Sequence, residues 1–191
     1  MTRFADLTWL NPPLHSELRG EDLLVRTRNA TDFWHKTFYG FQRHSGHFLH
    51  QTVTGDFSAE VTVVGQYDHL YDQAGLMARL DETHWVKTGI ELTDGAIHLS
   101  VVITNGQSDW SLFQCPVKPD GIRIRLTRHA ESIRVQYLDS EGHWKIARLG
   151  YLPPREAIEV GVMCCSPERE GFEVLFKNLT IGTAIARQLH E

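Results

Sequence analysis

The sequence predicts an all-β fold, a sandwich or barrel of short antiparallel strands, and three observations predict it. Runs of alternating apolar and polar residues recur along the chain. Turn-forming residues separate these runs at intervals of about eight to twelve residues. No stretch shows a strong helical period. Charged and aromatic residues gathered on one face of the central strands favour two curved sheets with a concave side for a ligand.

The elements follow in chain order from this alternation. Residues 57–67 show it well, with Phe57, Ala59, Val61 and Val63 on one side. Pro153-Pro154 interrupts the pattern because proline donates no ladder hydrogen bond. Residues 31–40 have no clean period and are interpreted as an irregular loop with one aromatic side partly exposed. The expected strands are residues 23–28, 47–53, 57–67, 73–80, 85–93, 96–104, 110–115, 122–126, 133–138, 144–149, 158–164 and 172–181.

Asp94-Gly95 is the sharpest local signal in the chain. This dipeptide suits a two-residue type I′ turn, whose central residues both need positive φ. The turn fixes the register of a hairpin in which Glu91 faces His98 and Trp85 faces Thr104. One face of the hairpin is then aliphatic and is predicted to be core. The other face carries Trp85, Lys87, Gly89, Glu91, His98, Ser100, Val102 and Thr104.

The strand before this hairpin is placed by elimination. One register sets Arg79 opposite Val86 and buries a guanidinium among aliphatic side chains, which is costly without a partner. The other register sets Arg79 beside Trp85, Met77 beside Lys87 and Gln73 beside Glu91, and we adopt it. The result is a three-stranded surface of polar and aromatic side chains suited to binding a polyol.

Composition limits the classes of function. A length of 191 residues and an apolar fraction of 41% suit one domain, expected over residues 1–182 with a C-terminal tail at 183–191. No segment is apolar enough to cross a membrane, and the N-terminus lacks a secretory signal pattern. The formal net charge of −5 argues against nucleic acid as a partner. Three cysteines, of which Cys164 and Cys165 are adjacent, form no disulfide framework and favour the cytoplasm.

Four segments resemble a known family. They are TDFWHKTFYG, AGLMARLDETHWVKTGIEL, VVITNGQSDWS, and VGVMCCSP with GFEVLFKNLTI. They are similar to an uncharacterised bacterial and fungal family named for a regulation-of-enolase protein, within the concanavalin A-like lectin/glucanase superfamily. Over residues 5–182 the resemblance implies a concanavalin A-like jelly-roll of two curved antiparallel sheets. It implies no activity, because a fold does not fix a function.

Related jelly-rolls bind or cleave sugars on the concave sheet, so the polar face of the hairpin supplies the candidate site. The expected ligand-binding residues are Gln73, Arg79, Trp85, Lys87, Glu91, Asp109, Trp110, Trp34, His35 and Tyr39. The paired catalytic acids of the superfamily's glucanases are absent here, since Glu91 is followed by Leu92, Thr93 and a turn aspartate. Glycoside hydrolysis normally needs two carboxyl groups, and Asp109 is the candidate partner of Glu91.

Three functions remain open at this point. The first is a cytoplasmic carbohydrate-binding domain for a small sugar or sugar derivative, with Trp85 stacking on the sugar. The second is a lyase or hydrolase on such a sugar, with Glu91 as general acid or base and Lys87 setting its pKa. The third is a regulatory protein that binds a metabolic enzyme. No cofactor or metal is expected, because His44, His47 and His50 alternate sides on a strand and the acidic residues are too sparse for calcium.

Overall fold

Two large antiparallel sheets make up the fold in a computed structural model, which describes residues 2–114 and 120–189. One 3₁₀ turn, Phe4–Asp6, precedes them. The predicted concanavalin A-like jelly-roll sandwich is thus confirmed. Within the described ranges no helix is long and apolar enough to span a membrane.

The first sheet, called sheet I, has seven strands. Its central strands are the predicted hairpin and the strand before it. In spatial order the strands are β1 (Thr8–Leu10), β6 (His47–Thr54), β15 (Ala157–Cys165), β8 (Gln73–Asp81), β9 (His84–Thr93), β10 (Ala96–Asn105) and β11 (Ser108–Gln114).

The second sheet, called sheet II, also has seven strands and packs against one face of sheet I. Its strands, again in spatial order, are β14 (Trp144–Tyr151), β13 (Ser132–Leu138), β12 (Ile122–His129), β7 (Phe57–Gly65), β16 (Glu173–Thr183), β3 (Asp22–Arg26) and β2 (His15–Arg19). The alternating apolar residues of β7 lie in the core between the sheets, as predicted.

The central registers agree with those predicted from sequence. Asp94 and Gly95 have φ values of 52° and 70°, as a type I′ turn requires. Glu91 faces His98 across this hairpin. On the other side of β9, Arg79 faces Trp85 and Gln73 faces Glu91. Side-chain alternation therefore places Lys87 and Glu91 on the face of sheet I that is turned away from sheet II, called here the outer face.

Several elements depart from the expectations. Residues 31–40 are not wholly irregular, because β4 (Phe33–His35) pairs with β5 (Gln42–His44) in a separate two-stranded sheet. The strands β1 and β2 were not predicted at all. The tail, for which the sequence leaves a short helix or disorder open, crosses sheet II at residues 184–189, with the Ile185 backbone bonded to Ser58 and His129. Residues 116–121, which the sequence predicts to end the strand that begins at Trp110, lie largely outside the described residues.

Candidate functional site

The β4–β5 hairpin covers part of the outer face of sheet I. Phe33 packs its ring 6.2 Å from that of Trp85, and both rings are fully buried. The hairpin is also tied to the turn after β10: the His35 backbone N–H donates to Ser108 Oγ at 2.9 Å, and His35 Nδ1 lies 2.6 Å from the Gly106 carbonyl oxygen. A second apolar cluster therefore fills the space between the hairpin and the sheet, comprising Phe33, Phe48, Met77, Trp85, Val102, Met163 and Cys165.

Beside this cluster a cavity of about 140 Å³ remains open. Sheet I supplies its floor, and the β4–β5 hairpin and two loops supply its walls. Its lining combines aromatic rings with ionisable side chains, namely Asp32, Trp34, Tyr39, Phe41, Arg43, Tyr71, Gln73, Lys87, Glu91, Val102, Trp110, Pro167 and Glu168. A concave site with a few converging polar groups is the usual form of a small-molecule site.

Lys87 and Asp32 form a buried ion pair at the floor. Lys87 Nζ donates to Asp32 Oδ1 at 3.1 Å, and the Lys87 side chain is 4% exposed. Burial is the largest single influence and lowers the pKa of Lys87, but the attraction of Asp32, Cys165 and Glu91 and the hydrogen bond to Asp32 together outweigh it, so that the pKa is raised. Asp32 Oδ1 also accepts the Phe33 backbone N–H at 2.8 Å. The pair therefore carries no net charge and fixes the base of β4 to sheet I.

Glu91 is the second buried acid of the cavity, and it is 4% exposed. Burial raises its pKa, opposed by the charge of Lys87 and by hydrogen bonding from Ser100 and Trp110. Trp110 Nε1 in turn donates to Ser100 Oγ at 3.0 Å. The raised pKa extends the pH range over which Glu91 is a neutral acid, and in that form it donates as well as accepts a hydrogen bond.

Four aromatic side chains close a ring around the cavity. Trp34 stands edge-on to Trp110, with centroids 6.4 Å apart, and to Tyr39 at 5.9 Å. Tyr71 completes the ring, since it stands edge-on to Trp110 at 6.3 Å and its hydroxyl lies 3.3 Å from that of Tyr39. The hydrogen bond with Tyr39, together with burial, raises the pKa of Tyr71 to about 12, so Tyr71 is a neutral phenol at physiological pH. We call these four residues the aromatic cage.

Paired glycines on β8 and β9 shape the floor between Lys87 and Glu91. Gly75 on β8 lies directly opposite Gly89 on β9. A Cβ on Gly89 would meet the backbone of Ala74 and Gly75, and one on Gly75 would meet the backbone of Thr88 and Gly89. The two backbones thus approach more closely than any side chain allows, and the floor between Lys87 and Glu91 stays low.

Six of the ten residues predicted from sequence line this cavity. They are Gln73, Lys87 and Glu91 on the floor and Trp34, Tyr39 and Trp110 in the walls. Lys87 and Glu91, the two that would act in a reaction, are also the most buried ionisable side chains there. Both residues lie on β9 and line the same cavity.

Four predicted residues lie elsewhere. Trp85 has no exposed surface because Phe33 covers it, so its ring has no face to offer a sugar. Arg79 pairs with Glu159 at 2.6 Å, and His35 is buried against the Gly106 turn. Asp109 faces Ile103, which belongs to the core between the sheets, and pairs with Arg148 at 3.0 Å. Asp109 therefore projects from the face of sheet I opposite to that of Glu91, and the two acids form no pair.

Several lining residues were missed from the sequence. Asp32, which immediately precedes the FWH segment and pairs with Lys87, was not among the expected site residues, because residues 31–40 show no clean period. Arg43 and Phe41 come from β5 and its turn, which the sequence pattern did not reveal. Tyr71 and Glu168 lie in loops, where no periodicity indicates the direction of a side chain. The only available signal was the high density of aromatic residues in 33–41.

Comparison with known proteins extends this description. A family model described as "Protein of unknown function (DUF1349)" matches residues 9–184. A Saccharomyces cerevisiae protein named Regulation of enolase protein 1 is 40% identical over 190 residues, which cover 100% of this chain and 96% of that protein.

Solved structures share the fold. A functionally unknown protein from Saccharomyces cerevisiae has a TM-score of 0.92 at 39% identity, covering 97% of this chain and 100% of that one. A mutant GH43 protein from Bacillus licheniformis has a TM-score of 0.70 at 14% identity, covering 95% of this chain and 38% of that one. At so low an identity the second likeness concerns the fold alone.

Proposed function

This chain belongs to the DUF1349 family of proteins of unknown function, and we propose that it binds a small sugar or sugar derivative in the cavity on the outer face of sheet I. One observation carries the proposal: the aromatic cage and the buried polar groups Lys87, Glu91 and Gln73 line the same cavity. Sugars present apolar C–H faces and hydroxyl groups together, and this lining offers partners to both. The cytoplasm is the proposed location, because the buried Cys164 and Cys165 are free thiols.

The hydrogen-bond donors and acceptors of the floor support a polyol ligand. Lys87 uses one of its three N–H groups on Asp32 and makes no other hydrogen bond to the residues that the structure describes. Gln73 donates to the Tyr71 carbonyl oxygen at 3.2 Å, which leaves its amide oxygen as an acceptor. The floor thus offers both donors and acceptors, as neighbouring hydroxyl groups require.

Ligand-dependent melting tests the proposal. Neutral sugars, sugar acids and sugar phosphates are screened by thermal shift, because a ligand that binds only the native state raises Tm as its concentration exceeds Kd. Trp110→Ala removes a wall of the cavity and is expected to abolish the shift. Trp144→Ala is the matched control, since Trp144 is a half-buried tryptophan of sheet II that stacks on Arg125. Failure of every sugar in the screen to shift Tm would refute sugar binding.

A second candidate is an enzyme in which Glu91 acts as general acid. The favouring observation is that burial raises the pKa of Glu91 at the edge of a cavity, as general acids require. Asp32 is a second carboxyl group there, but Lys87 already engages it. Glu91→Gln separates the alternatives: turnover of a bound sugar would fall by about 10²–10⁴-fold for an enzyme, whereas a binding protein would lose affinity only about tenfold.

A third candidate is binding to a metabolic enzyme, which the name of the Saccharomyces cerevisiae relative suggests. The favouring observation is Phe38 at the tip of the β4–β5 hairpin, which is 93% exposed. Titration calorimetry with purified enolase tests this function. Phe38→Ser is expected to weaken the complex, whereas Glu91→Gln leaves it unchanged. Absence of heat with the unmodified protein would eliminate enolase as the partner.

A further inference from the structure

The cavity contains one cation that no described acid neutralises. Arg43 lines the cavity from β5, and its guanidinium carbon lies 4.6 Å from the centroid of the Phe41 ring. Within residues 2–114 and 120–189 it makes no hydrogen bond or ion pair. By contrast, the two cations that sequence analysis placed on the floor are paired, Lys87 with Asp32 and Arg79 with Glu159.

None of the three acids that line the cavity forms an ion pair with Arg43. Asp32 pairs with Lys87, and the cation whose charge acts on the buried Glu91 is Lys87 as well. Glu168 also lines the cavity, but it is exposed, where water and salt screen its charge. Arg43 is therefore the uncompensated charge that a ligand meets within the walls.

Stacking on Phe41 holds the guanidinium in place without using its donors. A guanidinium over an aromatic face is attracted to it through the ring, and its N–H groups remain free at the edge of the plane. Phe41 itself stacks on Tyr39, with centroids 5.1 Å apart at 16°. Through Phe41 and Tyr39, Arg43 is thus fixed to the aromatic cage, with five N–H donors suited to a planar or tetrahedral oxyanion.

We propose that the ligand of this cavity is an anionic sugar, whose carboxylate or phosphate pairs with Arg43 while its polyol part contacts the aromatic cage and the floor. The inference rests on the proposed sugar-binding function and specifies its ligand class. Both kinds of anionic sugar share one chemistry, a polyol joined to an oxyanion. Charge-assisted bonds to a guanidinium are about twice as strong as neutral ones, so the anionic group is expected to dominate discrimination.

The test is titration calorimetry with three matched probes: D-glucose, D-glucuronate and D-glucose 6-phosphate. An anionic probe is expected to bind about tenfold or more tightly than glucose, and which of the two anions binds better distinguishes carboxylate from phosphate. Arg43→Gln is expected to remove this preference, so that the three probes bind with similar affinity. Arg43→Lys, which keeps the charge, is expected to restore part of it. Arg19→Gln, at an exposed site on β2, is the matched control.

The outcomes separate the two proposals. Equal binding of glucose and both anions, unaffected by Arg43→Gln, would overturn the anionic ligand and leave sugar binding intact. No binding of any probe, nor of other aldoses with their uronates and phosphates, would overturn both. Arg43 is half-exposed, so Arg43→Gln is expected to melt as the wild type does, and a preference lost with an unchanged Tm supports the proposal.

Discussion

Lys87 shows how one buried residue determines the structure of the site. Its ammonium group is the partner of a largely buried carboxylate, Asp32, whose other contact is the Phe33 backbone N–H. Lys87→Met leaves that carboxylate in the interior without a counter-charge. We expect the free energy of unfolding to fall by about 3–5 kcal/mol, measured by urea denaturation. Lys145→Met is the control, because Lys145 pairs with Asp139 at the surface. An equal loss of free energy of unfolding in both variants would show that the buried pair stabilises the fold no more than the surface pair does.

Glu91 should give the stability a characteristic dependence on pH. Burial raises its pKa in the folded state, so that as pH rises above the ordinary carboxyl value the unfolded chain releases a proton that the folded chain retains. This contribution to stability is present in full at low pH and is lost as pH rises to the folded pKa. The Glu91→Gln variant has no titratable proton at this position, so its stability does not fall in this way as pH rises.

The measurement for Glu91 is the difference in free energy of unfolding between Glu91→Gln and the wild type from about pH 4 to pH 8. We expect this difference to move in favour of the variant as pH rises, since other titrations cancel between the two proteins. Glu170→Gln, at an exposed loop position, provides the background for loss of one acid. A difference independent of pH would mean that the folded state does not protect the Glu91 proton.

For single residues, the sequence predicted the face of the sheet on which a side chain lies but not whether that side chain is exposed. Alternation placed Lys87 and Glu91 on the correct face of sheet I, because period 2 and the Asp-Gly turn leave one register. The same alternation placed Trp85 beside them, and there it predicted the face correctly but not the exposure. Phe33 buries Trp85, and the position of Phe33 depends on Ser108, Gly106 and Lys87, which are distant in sequence. No local pattern contains that information.

At the scale of elements, the β8–β9 pair depends on its opposed glycines. Gly89→Ala places a methyl group against the backbone of Ala74 and Gly75, and backbone moves only when the two strands separate. We expect a loss of about 1–3 kcal/mol in the free energy of unfolding by urea denaturation, with weaker ligand binding because the floor rises. Gly182→Ala is the matched control in β16, since its Cβ would meet nothing within 4 Å. A neutral Gly89→Ala would show that the strands tolerate separation.

Strands of the two large sheets were predictable wherever alternation was long, as in β7 and β12, whereas β1, β2 and β4 were not. Each of these three has only three or five residues. A strand so short has one to three side chains per face, and its pairing depends on the partner rather than on its own period. The β4–β5 hairpin is therefore the element that completes the cavity and also the one that sequence reveals least. Its Arg43 and Phe41 consequently entered the site only with the structure.

At the scale of the whole molecule, the interior strand β15 places two adjacent thiols on opposite faces of sheet I. Cys164 lies in the core between the sheets, and Cys165 lies beneath the β4–β5 hairpin. Burial raises the pKa of both thiols, so thiolate is scarce as well as inaccessible. Modification of either one therefore requires that the structure open.

Thiol labelling can thus report whether the sandwich and the cavity unfold as one unit. In a Cys115→Ser variant, which removes the cysteine outside the described residues, we expect Cys164 and Cys165 to react with a disulfide reagent about a thousandfold or more slowly than in urea-unfolded protein. If opening is global, both thiols react with the same dependence on urea as unfolding itself, because neither face is exposed without the other. Faster reaction of Cys165 alone, identified by mass spectrometry, would show instead that the β4–β5 hairpin lifts from an intact sandwich. The cavity would then be the part of the molecule that opens first.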